Sequence, residues 1–154
     1  MSGAIGPEVR HILCGVDGSD PACRAAEHAA WLATALNAKL TFLAVAREAG
    51  NSAALDVYRR TEGLGEEPVP LMSTAAEQCL IAAQSSASAL GNNKTTRLIR
   101  IGKVAQTLLS VATEIEADMI VLGRHEHSEL HRSIVGSVSR TIAAKSRLGI
   151  LQIW

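Results

Sequence analysis

The 154-residue chain has the length of one ordinary domain, enough to bury a continuous core without disulfide or metal staples. Fifteen Lys and Arg balance fifteen Asp and Glu, so no bulk positive field exists to draw in nucleic acid or an acidic membrane surface. Hydrophobic residues reach 47% while aromatics are only 3%, so the core must be assembled from Ala, Val, Ile and Leu, as where helices pack on a buried parallel sheet.

Residues 1–10 hold no apolar run before a charge, and no stretch approaches the roughly 18 consecutive apolar residues of a membrane span. The expectation is a cytoplasmic protein with a loose amino terminus over 1–10 and a single domain over 11–154. Cys14, Cys23 and Cys79 are odd in number, widely spaced and never in a CxxC arrangement, which reads as three reduced thiols.

Residues 11–17, HILCGVD, form a short apolar run that ends in Asp17-Gly18-Ser19-Asp20-Pro21. This predicts a buried strand, a sharp turn and a helix capped by Asp20, with Pro21 in its first position. Ala22, Ala25, Ala26, Ala29, Ala33 and Leu36 fall on one stripe of that helix, with Arg24, Glu27 and His28 turned away. Lys39–Ala46, KLTFLAVA, is a second buried strand.

Residues 47–70 lose all periodicity and mix charges with Gly and Pro, which predicts a long excursion. Leu71–Leu90 is helical in composition and is stopped by Gly91-Asn92-Asn93. Thr95–Ile101 is a third strand, residues 103–116 a sheet-covering helix, and Asp118–Leu122 the most apolar strand, running into Gly123. A polar loop to Val135, a helix from about Gly136-Ser137 and a last strand over Leu148–Trp154 complete the order. Strands alternating with helices, joined by right-handed crossovers, predict a doubly wound α/β domain with a parallel sheet of about five strands and helices on both faces.

In such a sheet a ligand binds beyond the carboxyl ends of the strands, where connections diverge to opposite faces. Asp17 follows the first strand, Gly102 the third and Gly123 the fourth. If strands one and four are neighbours, Asp17 and Gly123 flank one crevice, and the amino terminus of the helix at Gly136-Ser137 faces it with free N–H groups suited to phosphate. Ser137 can cap that helix and donate to a phosphate, and Val138 and Ser139 lie in the same turn. No Walker loop, GxSxG or HExxH occurs. His125, His127 and His131 read as solvated loop residues before they read as metal ligands.

The Val16-Asp17-Gly18-Ser19 turn, the Ile101-Gly102-Lys103-Val104 turn, and Val121-Leu122-Gly123 followed by Gly136-Ser137 resemble the universal stress protein family, over residues 11 to 154. The resemblance implies strand order 3-2-1-4-5 in an adenine nucleotide alpha-hydrolase-like fold, and a homodimer through the carboxyl-terminal strand. It also implies ATP or another adenine nucleotide such as AMP, with magnesium possible and at most slow hydrolysis, in a stress-response role.

The family's nucleotide loop reads Gly, two residues, Gly, nine residues, Gly, then Ser or Thr. Gly123, Gly136 and Ser137 match it; Asp17 matches the acidic residue at the nucleoside end, Val45 the neighbourhood that reads adenine, and Gly102 the glycine after the third strand. Glu126 stands where the second glycine belongs. A carboxylate about 5 Å from a phosphate charge repels it by about 3 kcal/mol at an effective dielectric near 20, unless magnesium, Lys103, Arg124 or Arg132 offsets it. The second reading is therefore a nucleotide-free dimeric interaction module of the same family. A third, an ATP-pyrophosphatase-like enzyme, lacks its phosphate loop after the first strand.

Overall fold

The computed structural model describes residues 8–48, 70–71, 74–124 and 137–154. Strand β1 (His11–Val16) pairs in parallel with β2 (Lys39–Glu48) on one side and with β5 (Met119–Gly123) on the other. Strand β4 (Thr95–Ile101) adds outside β2 and β6 (Gly149–Ile153) outside β5, both parallel. Counted along the chain, the five parallel strands run 3-2-1-4-5, as expected. Of the aperiodic segment over 47–70, residues 49–69 lie outside the described part; its last residue begins a two-residue strand, β3 (Pro70–Leu71), antiparallel to Arg47 and Glu48 of β2.

The central strands β1, β2 and β5 are largely apolar because both faces are covered, whereas β4, TTRLIRI, exposes Thr96 and Arg97. On one face α1 (Asp20–Ala35) and α2 (Thr74–Ala89) bury Ile12, Cys14, Val16, Leu40, Phe42, Ala44 and Val121. On the other, α3 (Val104–Glu114) and α4 (Ser137–Lys145) pack over Leu13, Leu43, Ile120 and Leu122 with Leu108, Val111 and Ile142. The period-two alternation of Ile12-Leu13-Cys14 thus feeds two cores at once. Alanines line α1, and Ala25, Ala26, Ala29, Ala30 and Ala33 are fully buried, so the helix axis lies close to the sheet. Leu36, expected on that stripe, is 45% exposed, because the helix ends at Ala35 and Asn37 turns the chain away with a φ of 53°.

Two local expectations change. The cap of α1 is Ser19, one residue before Asp20: its Oγ accepts the Ala22 N–H at 3.3 Å, and Asp20 becomes the acidic residue of the first turn. Cys23 and Cys79 are a disulfide between α1 and α2, with Cα atoms 5.7 Å apart. Fifty-six residues separate them in the chain, so spacing alone could not pair them; the packing of α1 on α2 does. Cys14 remains a free buried thiol, and burial pushes its pKa up to about 12.

At the amino ends of the strands, Asp118 accepts the N–H groups of Arg10 at 2.8 Å and His11 at 2.9 Å. The His11 ring bridges the Ile115 carbonyl at 3.0 Å and Thr41 Oγ1 at 2.9 Å, tying β1, β2 and the end of α3 together. At the opposite, carboxyl end the same strands open.

Candidate functional site

After β1 the chain leaves across one face through α1, whereas after β5 it returns through α4 on the other, so the carboxyl ends of these neighbouring strands diverge and leave a crevice. A cleft of about 170 Å³ occupies that point. Its floor and one wall are apolar: Val16 from β1, Leu43 and Val45 from β2, Val104 and Leu108 from α3, and Leu122 from β5. Its polar groups are Asp17, Arg124, Ser137, Ser139 and Gln152. An apolar slot rimmed by a few hydrogen-bonding groups suits a flat ring carrying a polar tail.

Asp17 stands directly beyond β1. Its Oδ1 accepts the Ser19 N–H at 2.9 Å and the Ser19 hydroxyl at 2.6 Å, so the carboxylate and the cap of α1 form one unit. Gly18 makes the turn with a φ of +84°, and a Cβ there would come within 2.7 Å of the Ala75 carbonyl carbon at the start of α2. Asp17 is thereby fixed from both sides.

Gly123, at the end of β5, lines the cleft, and its lack of a side chain has a further local reason. A Cβ there would lie 2.5 Å from the Ala22 nitrogen, so α1 can start against β5 only because position 123 is glycine. Arg124 follows, its N–H donating to the Ile153 carbonyl at 2.7 Å and its guanidinium lying 3.7 Å over the Trp154 ring. Arg24 Nε donates to the Trp154 carbonyl at 2.7 Å, closing the same rim from α1.

Across the cleft, Ser137, Val138 and Ser139 of α4 line it. Ser137 is exposed, Val138 half-buried and Ser139 buried at 7% exposure. The Gln152 carboxamide donates through Nε2 to Ser139 Oγ.

Of the residues singled out in the sequence, Asp17, Val45, Gly123, Ser137, Val138 and Ser139 line this cleft together. Gly102 does not: it ends β4, at the sheet edge beyond β2, where its N–H donates to the Ala46 carbonyl at 3.2 Å. The helix that follows it supplies Val104 and Leu108 instead. Glu126 and Gly136, with His125, His127 and His131, lie outside the described residues. Gln152 escaped the sequence reading, although it is the single polar residue in the otherwise apolar run GILQIW. Among the described residues no cluster of three His, Cys, Asp or Glu side chains could hold a metal ion, and no helix is long and apolar enough to cross a membrane.

A universal stress protein solved in complex with cAMP is 26% identical, matching over 96% of this chain and 99% of its own with a TM-score of 0.71. The universal stress protein UspA from Lactobacillus plantarum is 24% identical over 97% of this chain and 100% of its own, with a TM-score of 0.73. That from Archaeoglobus fulgidus in complex with dAMP is 19% identical over 95% and 98%, with a TM-score of 0.63. These likenesses give the chain the adenine nucleotide alpha-hydrolase-like fold. No curated protein sequence matches it. The profile of the universal stress protein family covers residues 8–151, and the chain belongs to that family.

Proposed function

We propose that the chain is a regulatory protein of the stress response that holds an adenine nucleotide in the cleft at the carboxyl ends of β1 and β5. The observation that carries this is the opposition of Asp17 to the start of α4 across an apolar slot. A base fits between Val16, Leu43 and Val45; a ribose hydroxyl can donate to Asp17; a phosphate meets the N–H groups and hydroxyls at Ser137 and Ser139. The cAMP and dAMP complexes of the similar proteins support the same class of ligand.

Charge sets an order among the nucleotides. Among the described residues the cleft has one cation, Arg124, against one carboxylate, Asp17. That lining suits a monophosphate or cyclic phosphate. ATP, with its larger charge, takes the same place with magnesium, which offsets both the triphosphate and Glu126. Hydrolysis is at most slow, and the role is binding rather than turnover.

Strand β6 pairs with β5 on one side and has no partner on the other among the described residues. An open edge carrying Ile150, Leu151 and Ile153 supports a homodimer formed edge to edge, and the compartment proposed for it is the cytoplasm. Light scattering should give twice the 16.2 kDa of the chain.

Calorimetric titration with AMP, cAMP and ATP, the last with and without magnesium, tests the ligand. Saturable binding of AMP or cAMP, and of ATP with magnesium, is the expected result. Glu126→Gly should tighten magnesium-free ATP by roughly one to two orders of magnitude, the value of one relieved charge pair. No heat from any nucleotide, in wild type or variant, would leave the nucleotide-free interaction module as the reading.

A further inference from the structure

The family fold does not account for the covalent link between α1 and α2. We propose that Cys23 and Cys79 are a reversible thiol–disulfide site, and that its oxidation tightens the cleft around its ligand; the second part rests on the nucleotide reading above. Cys23 lies in the first turn of α1 and Cys79 in the second turn of α2, so the bond joins the two helices near their starts. Those starts hold the Asp17 turn. Ala22, the neighbour of Cys23, lines the cleft, and Ser19, the cap of α1, donates to Asp17. The first turn of α2 backs onto Gly18 at Ala75 and Ala76.

With the bond formed, α1 and α2 cannot separate at the end where they grip this turn. With it reduced, non-covalent contacts alone keep α2 in place, Leu80 and small side chains such as Ala76 and Ala83 among them. Asp17 therefore has a position fixed more tightly in the oxidised state, and a ligand that uses it loses less freedom on binding.

The chemistry is thiol–disulfide exchange with a low-molecular-weight disulfide as oxidant. Cys23, the more exposed of the pair, attacks one sulfur of that disulfide as thiolate and expels the first small thiol, leaving a mixed disulfide on Cys23. Cys79, losing its proton to solvent, then attacks the Cys23 sulfur and expels the second small thiol. Two protein thiols become one disulfide, and the oxidant is reduced to two thiols. Cys14, sealed in β1, takes no part and serves as an internal reference.

The test uses the full chain, incubated with dithiothreitol or with oxidised glutathione, then unfolded in iodoacetamide and weighed. Three alkylated cysteines after reduction and one after oxidation, interconverting on repeated cycling, are expected; three in both states would overturn the site. Hydrogen exchange of residues 17–24 and 74–80 should slow on oxidation in wild type and stay unchanged in the double variant Cys23→Ser/Cys79→Ser. AMP should bind at least about fivefold more tightly to the oxidised form, and the double variant Cys23→Ser/Cys79→Ser should match the reduced protein whatever the redox buffer. Equal affinity and equal exchange in the two states would refute the coupling. If neither state binds AMP, the nucleotide reading fails, while the mass and exchange results still decide the redox site and its hold on the Asp17 turn.

Discussion

Arg124 lies over the ring of Trp154, its Cζ 3.7 Å from the ring centroid, at the rim of the cleft. The ring orients the guanidinium without neutralising it, so the charge stays available to a phosphate. Arg124→Ala should weaken AMP binding by roughly ten- to a hundredfold, the value of a charge-assisted hydrogen bond. Trp154→Ala, which only loosens the arginine, should cost no more than about fivefold. Calorimetry on both variants tests the order; a larger loss for Trp154→Ala would mean that the ring itself holds the ligand.

Gly123→Ala should destabilise the fold by about 1–3 kcal/mol, the usual range for overpacking, because its Cβ would meet the backbone of Pro21 and Ala22 rather than a yielding side chain. Gly149→Ala, whose nearest contact is 3.7 Å, should lie within about 0.5 kcal/mol of wild type. Urea unfolding with an unchanged m-value would measure both. Equal midpoints for the two variants would show that α1 can move away from β5.

The residues that bury both faces were legible in the sequence, because Ile12-Leu13-Cys14 and Met119–Leu122 leave no side free for water. Most of the cleft was legible too, since Asp17 and Gly123 fall where strands end and Ser137 where a helix begins. Other features depend on through-space neighbours. Gly102 follows a strand much as Gly123 ends one, yet β4 lies at the edge of the sheet among the described residues, and Gly102 does not line the cleft. Cys23 and Cys79 meet only because two alanine-lined helices pack side by side. Ser19 and Asp20 are both good caps, and the choice falls to Ser19 because Asp17 holds its hydroxyl in place.

His11 makes stability depend on pH. Burial lowers its pKa from 6.5, outweighing the Ile115 carbonyl that accepts from the ring; Lys39 lowers it further and Asp118 raises it. The folded state therefore favours the neutral ring, and below pH 6.5 the unfolded chain binds the extra proton first. This contribution is complete above pH 6.5 and is lost as pH falls through the lower, folded value. The urea midpoint should drop between pH 7.5 and pH 5, and less steeply in His11→Gln, which keeps hydrogen-bonding capacity without the titration. Equal slopes in the two proteins would assign the dependence elsewhere.

Gln152 is the polar exception in β6, and its carboxamide donates to Ser139 Oγ at the start of α4. Ser139 is buried at 7% exposure, so its hydroxyl has few alternatives. With the amide N–H filling one lone pair, the Ser139 proton is directed toward the cleft, where a phosphate oxygen can accept it. Gln152→Val should remove this orientation and weaken AMP by about three- to tenfold, the worth of one hydrogen bond. Gln152→Glu should do more harm, since a carboxylate accepts the serine proton and places negative charge beside the phosphate. Ser139→Ala alone should cost about as much as Gln152→Val, and the double variant little more, because the two residues act as one unit. Calorimetry over the four proteins decides: additive losses would show that each contacts the nucleotide independently, and an unaltered affinity in Gln152→Val would remove the residue from the site.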